Sequence, residues 1–321
     1  DAHLAPLALE LAQWGVADAT SLHWLDAPPA AALNQARQLL QQLGALDAQR
    51  RITADGKAMA RLPLHPRLAH MLVRADDMGQ GALACDIAAL ISERDVLRNI
   101  RGEGQCDFAL RVTALRAQRK SGGKGARSYG ADVGACRAVE QSARQWRRLL
   151  KIQVENNAVT DDEVGALLAL AYPDRIARKR GEAGNRFLLA NGRGAALFRD
   201  CVASSEFIVV AALDAGNNAK AGEGRIFSAA PITLQQLEEQ FSDELAWRDE
   251  ISWDERTQVI TARRVRGLGA LILEESKLAS PDSSAITTAM LQGIRQMGLD
   301  ALPWNEESRQ LQARVCSLHQ W

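Results

Sequence analysis

The residues that could act on a ligand are few. Gly122-Gly123-Lys124-Gly125 has the glycines and the lysine of a phosphate cradle. A P-loop also needs a preceding strand and a Ser or Thr after the lysine to hold the metal, and both are missing, so the segment reads as a mobile basic loop. The five histidines, His3, His23, His65, His70 and His319, show no HExxH or other ligand spacing. No Gly-x-Ser-x-Gly elbow occurs. The five cysteines, Cys85, Cys106, Cys136, Cys201 and Cys316, stand far apart without a CxxC pair. They read as core fillers rather than a disulfide framework or zinc ribbon, which fits a reducing cytoplasm. No catalytic, metal or cofactor-binding set emerges.

Charge is the informative feature. Lys plus Arg equal Asp plus Glu, 39 against 39, which argues against a wholly electrostatic binder of the histone kind. Locally the balance fails. Between Arg111 and Lys151 stand eleven basic residues against two acids, Asp132 and Glu140. Further clusters are Arg175, Arg178, Lys179 and Arg180, and Arg263, Arg264 and Arg266. Such side chains can hold phosphates without reading sequence. They can equally form solvated helix faces.

The elements that must position these charges follow from periodicity. Leu4, Leu7, Leu11 and Trp14 share one helical face, and Asp26-Ala27-Pro28-Pro29 punctuates the chain after them. Leu33, Ala36, Leu39, Leu40 and Leu43 make a helix stopped by Gly44. Helix, short strand, turn, strand and helix then predict a winged helix. From Pro66 to Arg180 the pattern is a helical bundle broken at 121–125, with Val139, Ala143, Trp146, Leu149 and Leu150 on one face. Thr160-Asp161-Asp162-Glu163 is a capping box. After Gly181, short apolar runs, ending with Gln258–Val265 and Gly269–Leu273, predict a small barrel of the OB type around one helix. Helices return from Ser283. No apolar run approaches the ~20 residues that span a bilayer, so no membrane partner is expected.

The winged-helix stretch, Leu39-Leu40-Gln41-Gln42-Leu43-Gly44-Ala45-Leu46-Asp47 with Ile52 to Ala69, resembles the region that follows the motor lobes of DEAH-box RNA helicases. Ser92-Glu93-Arg94-Asp95 resembles part of their ratchet domain. Tyr172 to Gly181, Leu189 to Gly194, Trp24 to Pro29 and Met290 to Arg295 resemble the bacterial HrpB branch specifically. The resemblance implies a multidomain, mainly α chain with a small β part. The parts are the tail of a second RecA-like lobe and linker (1–28), winged helix (29–66), ratchet bundle (67–180), OB-like barrel (181–280) and the start of C-terminal helices (281–321). It implies ATP-dependent 3′-to-5′ RNA unwinding for a parent protein, with ATP and Mg on RecA-like lobes outside this chain and no catalysis by this chain alone. The expected partners are single-stranded RNA and those lobes. Arg175, Arg178, Lys179, Arg180 and Arg193 are the candidate RNA contacts; an internal Asp174–Arg175 pair is the alternative for the first. A free-standing nucleic-acid-binding adaptor and a protein-interaction scaffold, with the basic helix docking an acidic partner, are the competing readings.

Overall fold

The computed structural model describes residues 4–16, 18–97, 105–153, 159–181, 184–197, 204–214, 223–298 and 302–318. His3, Cys201 and His319 lie outside them. The chain divides into two compact units, one of Asp1–Gln240 with Gly269–Leu271, the other of Phe241–Leu268 with Ile272–Trp321.

The first unit opens with α1 (Ala5–Gln13), α2 (Ala30–Gln42) and α3 (Ala54–Ala60). In α1 the buried residues are Ala5, Ala8, Leu9 and Leu11, whereas Trp14, expected on the buried face, is 70% exposed. Gly44, at φ 65°, ends α2 in the left-handed region that suits glycine. Thr53 then caps α3 by accepting from Gly56 N at 3.0 Å. The two expected wing strands reduce to a single bridge between Leu46 and Ile52. Gly56 is required there, because a Cβ would come within 2.2 Å of the Ala45 carbonyl oxygen.

The bundle comprises α4 (Pro66–Asp77), α5 (Gly81–Ser92), α6 (Phe108–Ser128), α7 (Val133–Leu150) and α8 (Asp161–Ala171). The expected loop at 121–125 is instead a kinked continuation of α6. Gly122 takes φ 62°, ψ −151°, and the helix resumes beyond it with Gly125 packed on the Ala117 carbonyl. Glycine at these two places lets the chain turn back on its own helix. On α7, Val139, Ala143 and Trp146 are buried as expected, but Leu149 is 53% exposed and Arg147 takes a buried place. The capping box of Thr160 and Glu163 starts α8.

Five strands close a barrel in the order β1-β2-β3-β5-β4: β1 (Ile176–Lys179), β2 (Arg186–Leu189), β3 (Gly194–Leu197), β4 (Phe207–Asp214) and β5 (Gly224–Ile232). All pairings are antiparallel except the parallel β3–β5. Ala177, Phe187, Leu189, Ile208, Val210 and Ile226 fill its interior with Cys106. The short helix α9 (Leu234–Gln240) follows. Cys85 and Cys136 are buried thiols, pushed up to about 12 and about 11 chiefly by burial. Cys106 departs from the expectation of unpaired cysteines, being disulfide-bonded.

The runs at Gln258–Val265 and Gly269–Leu273 do not join the barrel. They belong to a separate three-stranded sheet, β6 (Trp247–Asp254), β7 (Val259–Leu268) and β8 (Leu271–Lys277), in that order. The reason is pairing: β6 and β7 form a long hairpin of eight consecutive residue pairs, from Trp247–Arg266 to Asp254–Val259, and satisfy each other's backbone. In this second unit α10 (Ser283–Met297) packs on β6, with Gly293 against the Trp253 ring, and α11 (Glu306–Leu318) follows.

Candidate nucleic-acid interface

Strand geometry separates the five candidate cations. Successive side chains on a strand point to opposite faces. Ala177 lies in the barrel core, so Lys179 shares its inward parity at the strand end, opposite Phe187. Arg178 and Arg180 take the other parity and face outward. Arg178 pairs with Glu206 at 2.9 Å and lies over the Phe207 ring at 5.6 Å. Arg180 is exposed, with its Nη1 3.7 Å from where a Cβ on Gly194 would stand. Arg193 is exposed at the β2–β3 turn, where Leu189 N donates to its carbonyl and Gly192 takes φ 84°. That turn abuts the start of β1, since Asn191 N donates to the Asp174 carbonyl at 3.2 Å. Arg178 and Arg180 therefore share the outward parity of β1, Lys179 has the other, and Arg193 is exposed at the turn joining β2 and β3.

Arg175 belongs to a joint. Arg67, at the start of α4, grips Asp174 with both terminal nitrogens at 2.5 and 3.0 Å and donates to the Ala171 carbonyl at 3.1 Å. Both the Arg67 and the Arg175 guanidinium carbons lie over the Tyr172 ring, at 5.4 and 4.5 Å from its centroid. Arg175 also donates to the Ala211 carbonyl at 3.3 Å. The alternative reading of an Asp174–Arg175 pair is replaced by an Arg67–Asp174 pair, in which the guanidinium meets the carboxylate two-pronged. Burial shifts the Arg175 guanidinium below, and the Tyr172 phenol above, their ordinary values. Two sequence motifs, His65-Pro66-Arg67 and Tyr172-Pro173-Asp174-Arg175, thus meet at one place.

The other basic clusters are largely spent on internal pairs. Asp86, 1% exposed on α5, receives Arg119 at 2.8 Å and Arg147 at 2.7 Å. Glu140 on α7 takes the same two arginines, at 2.6 and 2.8 Å, and Arg144 at 2.8 Å. Arg111 is bound by Asp95 at 2.6 Å, which gives the Ser92-Glu93-Arg94-Asp95 stretch a bracing role. In the sheet of the second unit, Arg263 pairs with Glu250 and Glu275, Arg264 with Asp249, and Arg266 with Glu274. Within α7 the Glu140–Arg144 pair follows the i,i+4 spacing, but nothing in the spacing of the cations announced Asp86, Asp95 or the sheet's acids, which come from other elements. Among the described residues no cluster of His, Cys, Asp or Glu could hold a metal ion. No helix among them is long and apolar enough to cross a membrane.

Known proteins resemble the chain throughout. The family description "Helicase associated domain (HA2), winged-helix" matches residues 36–64, the α2–α3 unit. "ATP-dependent RNA helicase HrpB, connector region" matches 244–278, the sheet of the second unit. The ATP-dependent RNA helicase HrpB of Escherichia coli K12 is 33% identical over 322 residues, spanning 99% of this chain and 36% of that protein. The likeness is to a part of an HrpB-type DEAH helicase, and it runs through nearly all of this chain. Crystal structures of Escherichia coli HrpB agree in fold, with TM-scores of 0.69 and 0.70, 31% identity, and coverage of 100% of this chain and 36% of theirs. A shorter match, 33% identical over 111 residues, joins 34% of the chain to 16% of the human probable ATP-dependent RNA helicase DHX35. The chain spans about a third of the length of the HrpB relatives it matches.

Proposed function

We propose that this chain is the RNA-gripping accessory region of an ATP-dependent 3′-to-5′ RNA helicase, acting in the cytoplasm. In this reading ATP and Mg bind RecA-like lobes outside the chain, and the chain couples RNA held on its barrel to those lobes. One observation carries it: the similarity to HrpB extends over 99% of the chain. The barrel, an OB-like shape suited to nucleic acid, supports the RNA contact, as do the exposed Arg180 and Arg193 flanking the half-exposed Arg178. Arg175 acts here by fixing the start of β1 rather than by touching phosphate.

The test is binding of a labelled single-stranded RNA oligonucleotide to the 321-residue chain at several salt concentrations. Arg178→Glu, Arg180→Glu and Arg193→Glu combined are expected to weaken binding at least ~10-fold. They should also shallow the log–log salt slope by roughly 2, given about 0.7 per phosphate contact for single strands. Lys179→Glu, on the opposite parity, is expected to do less. An unchanged affinity and slope in the triple variant removes the β1–β2 surface from the RNA path.

A further inference from the structure

The basic stripe on α7 is not absorbed by the RNA-binding surface of the barrel. Arg137, Arg144 and Arg148 lie along one exposed line of that helix and border a groove of about 840 Å³ shared with Arg119 of α6. Beneath and beside it Asp86 and Glu140 are divided among Arg116, Arg119, Arg144 and Arg147. Arg137 and Arg148 add two further cations that make no ion pair within the described residues. The carboxylates beneath therefore cannot neutralise the groove, and an anionic occupant would. At 1.5 Å per residue the three arginines stand about 10 and about 6 Å apart along the axis. That spacing repeats on a second helix carrying carboxylates seven and four residues apart. Leu149, 53% exposed beside Arg148, offers such a helix an apolar contact. Unpaired RNA is a poorer match, because no aromatic ring lines the groove to stack a base.

We propose that the α6–α7 groove docks an acidic amphipathic helix of a protein partner. The experiment titrates the full 321-residue chain into a labelled synthetic helical peptide with Glu at positions i, i+4, i+7 and i+11 and one Leu flank, and separately into single-stranded RNA. Arg137→Glu, Arg144→Glu and Arg148→Glu together should weaken the peptide at least ~10-fold and leave RNA affinity unchanged. The corresponding Gln triple, whose folding is checked by its thermal melt, should weaken it less but in the same direction. A peptide that fails to bind the native chain, or binds every variant equally, overturns the proposal. So does loss of RNA affinity in the α7 triple, which would make the groove an RNA surface. The barrel variants described above report on the RNA reading independently, so the two can fail separately.

Discussion

Glu140 accepts hydrogen bonds from Arg119, Arg144 and Arg147 while itself partly buried. Burial alone would raise its carboxyl, but the Arg119 hydrogen bond and charge, with Arg144 and Arg147, hold it below 4.5. A carboxyl depressed in the folded state stabilises the fold above its unfolded value. That stabilisation is lost as pH falls through the lower folded value. The chain should therefore lose stability on acidification below about pH 4.5. Glu140→Gln, already weaker at neutral pH because it leaves buried guanidinium groups under-paired, should lose less over the same range. Urea midpoints against pH check this, and identical acid limbs in the two proteins would contradict it. The same network shows why cation counts mislead: Arg147 is buried and Arg119 partly so, both held by carboxylates of the bundle.

Elements meet here through missing side chains. Helix α8 lies on β5 so closely that a Cβ on Gly165 would stand 1.7 Å from the Pro231 carbonyl oxygen. Backbone cannot yield as a side-chain tip can. Gly165→Ala is expected to cost about 1–3 kcal/mol or more, read as a drop in the denaturant midpoint. Gly123→Ala, whose Cβ would meet Val133 methyls at an ordinary 3.5 Å, is the matched control and should be near neutral. Equal effects at both sites would show that helix propensity rather than the α8–β5 approach governs the result.

On the scale of the molecule, the Arg67 joint links residues 107 apart and ties the first helix of the bundle to the turn that leads into the first strand of the barrel. Arg67→Ala leaves Asp174 without its partner and exposes the Tyr172 ring, and should cost about 3 kcal/mol. The double variant with Asp174→Ala should recover part of that loss in a double-mutant cycle. Strictly additive losses would reduce the joint to a surface pair. By itself the sequence determined most of each helix face, Trp14 and Leu149 excepted, the capped start of α8, the helix stop at Gly44 and the likeness to the HrpB branch. Each is local: a periodicity, a cap or a run of residues read within one segment. Only the tertiary structure decided which cations remain available. Asp86, Asp95, Glu206, Glu250 and Asp174 arrive from other elements, and pairing across elements leaves no trace in spacing. It also decided that β6 to β8 form their own sheet and that Arg178 and Lys179, neighbours in the chain, face opposite ways, because strand parity and partner choice are settled only when strands meet.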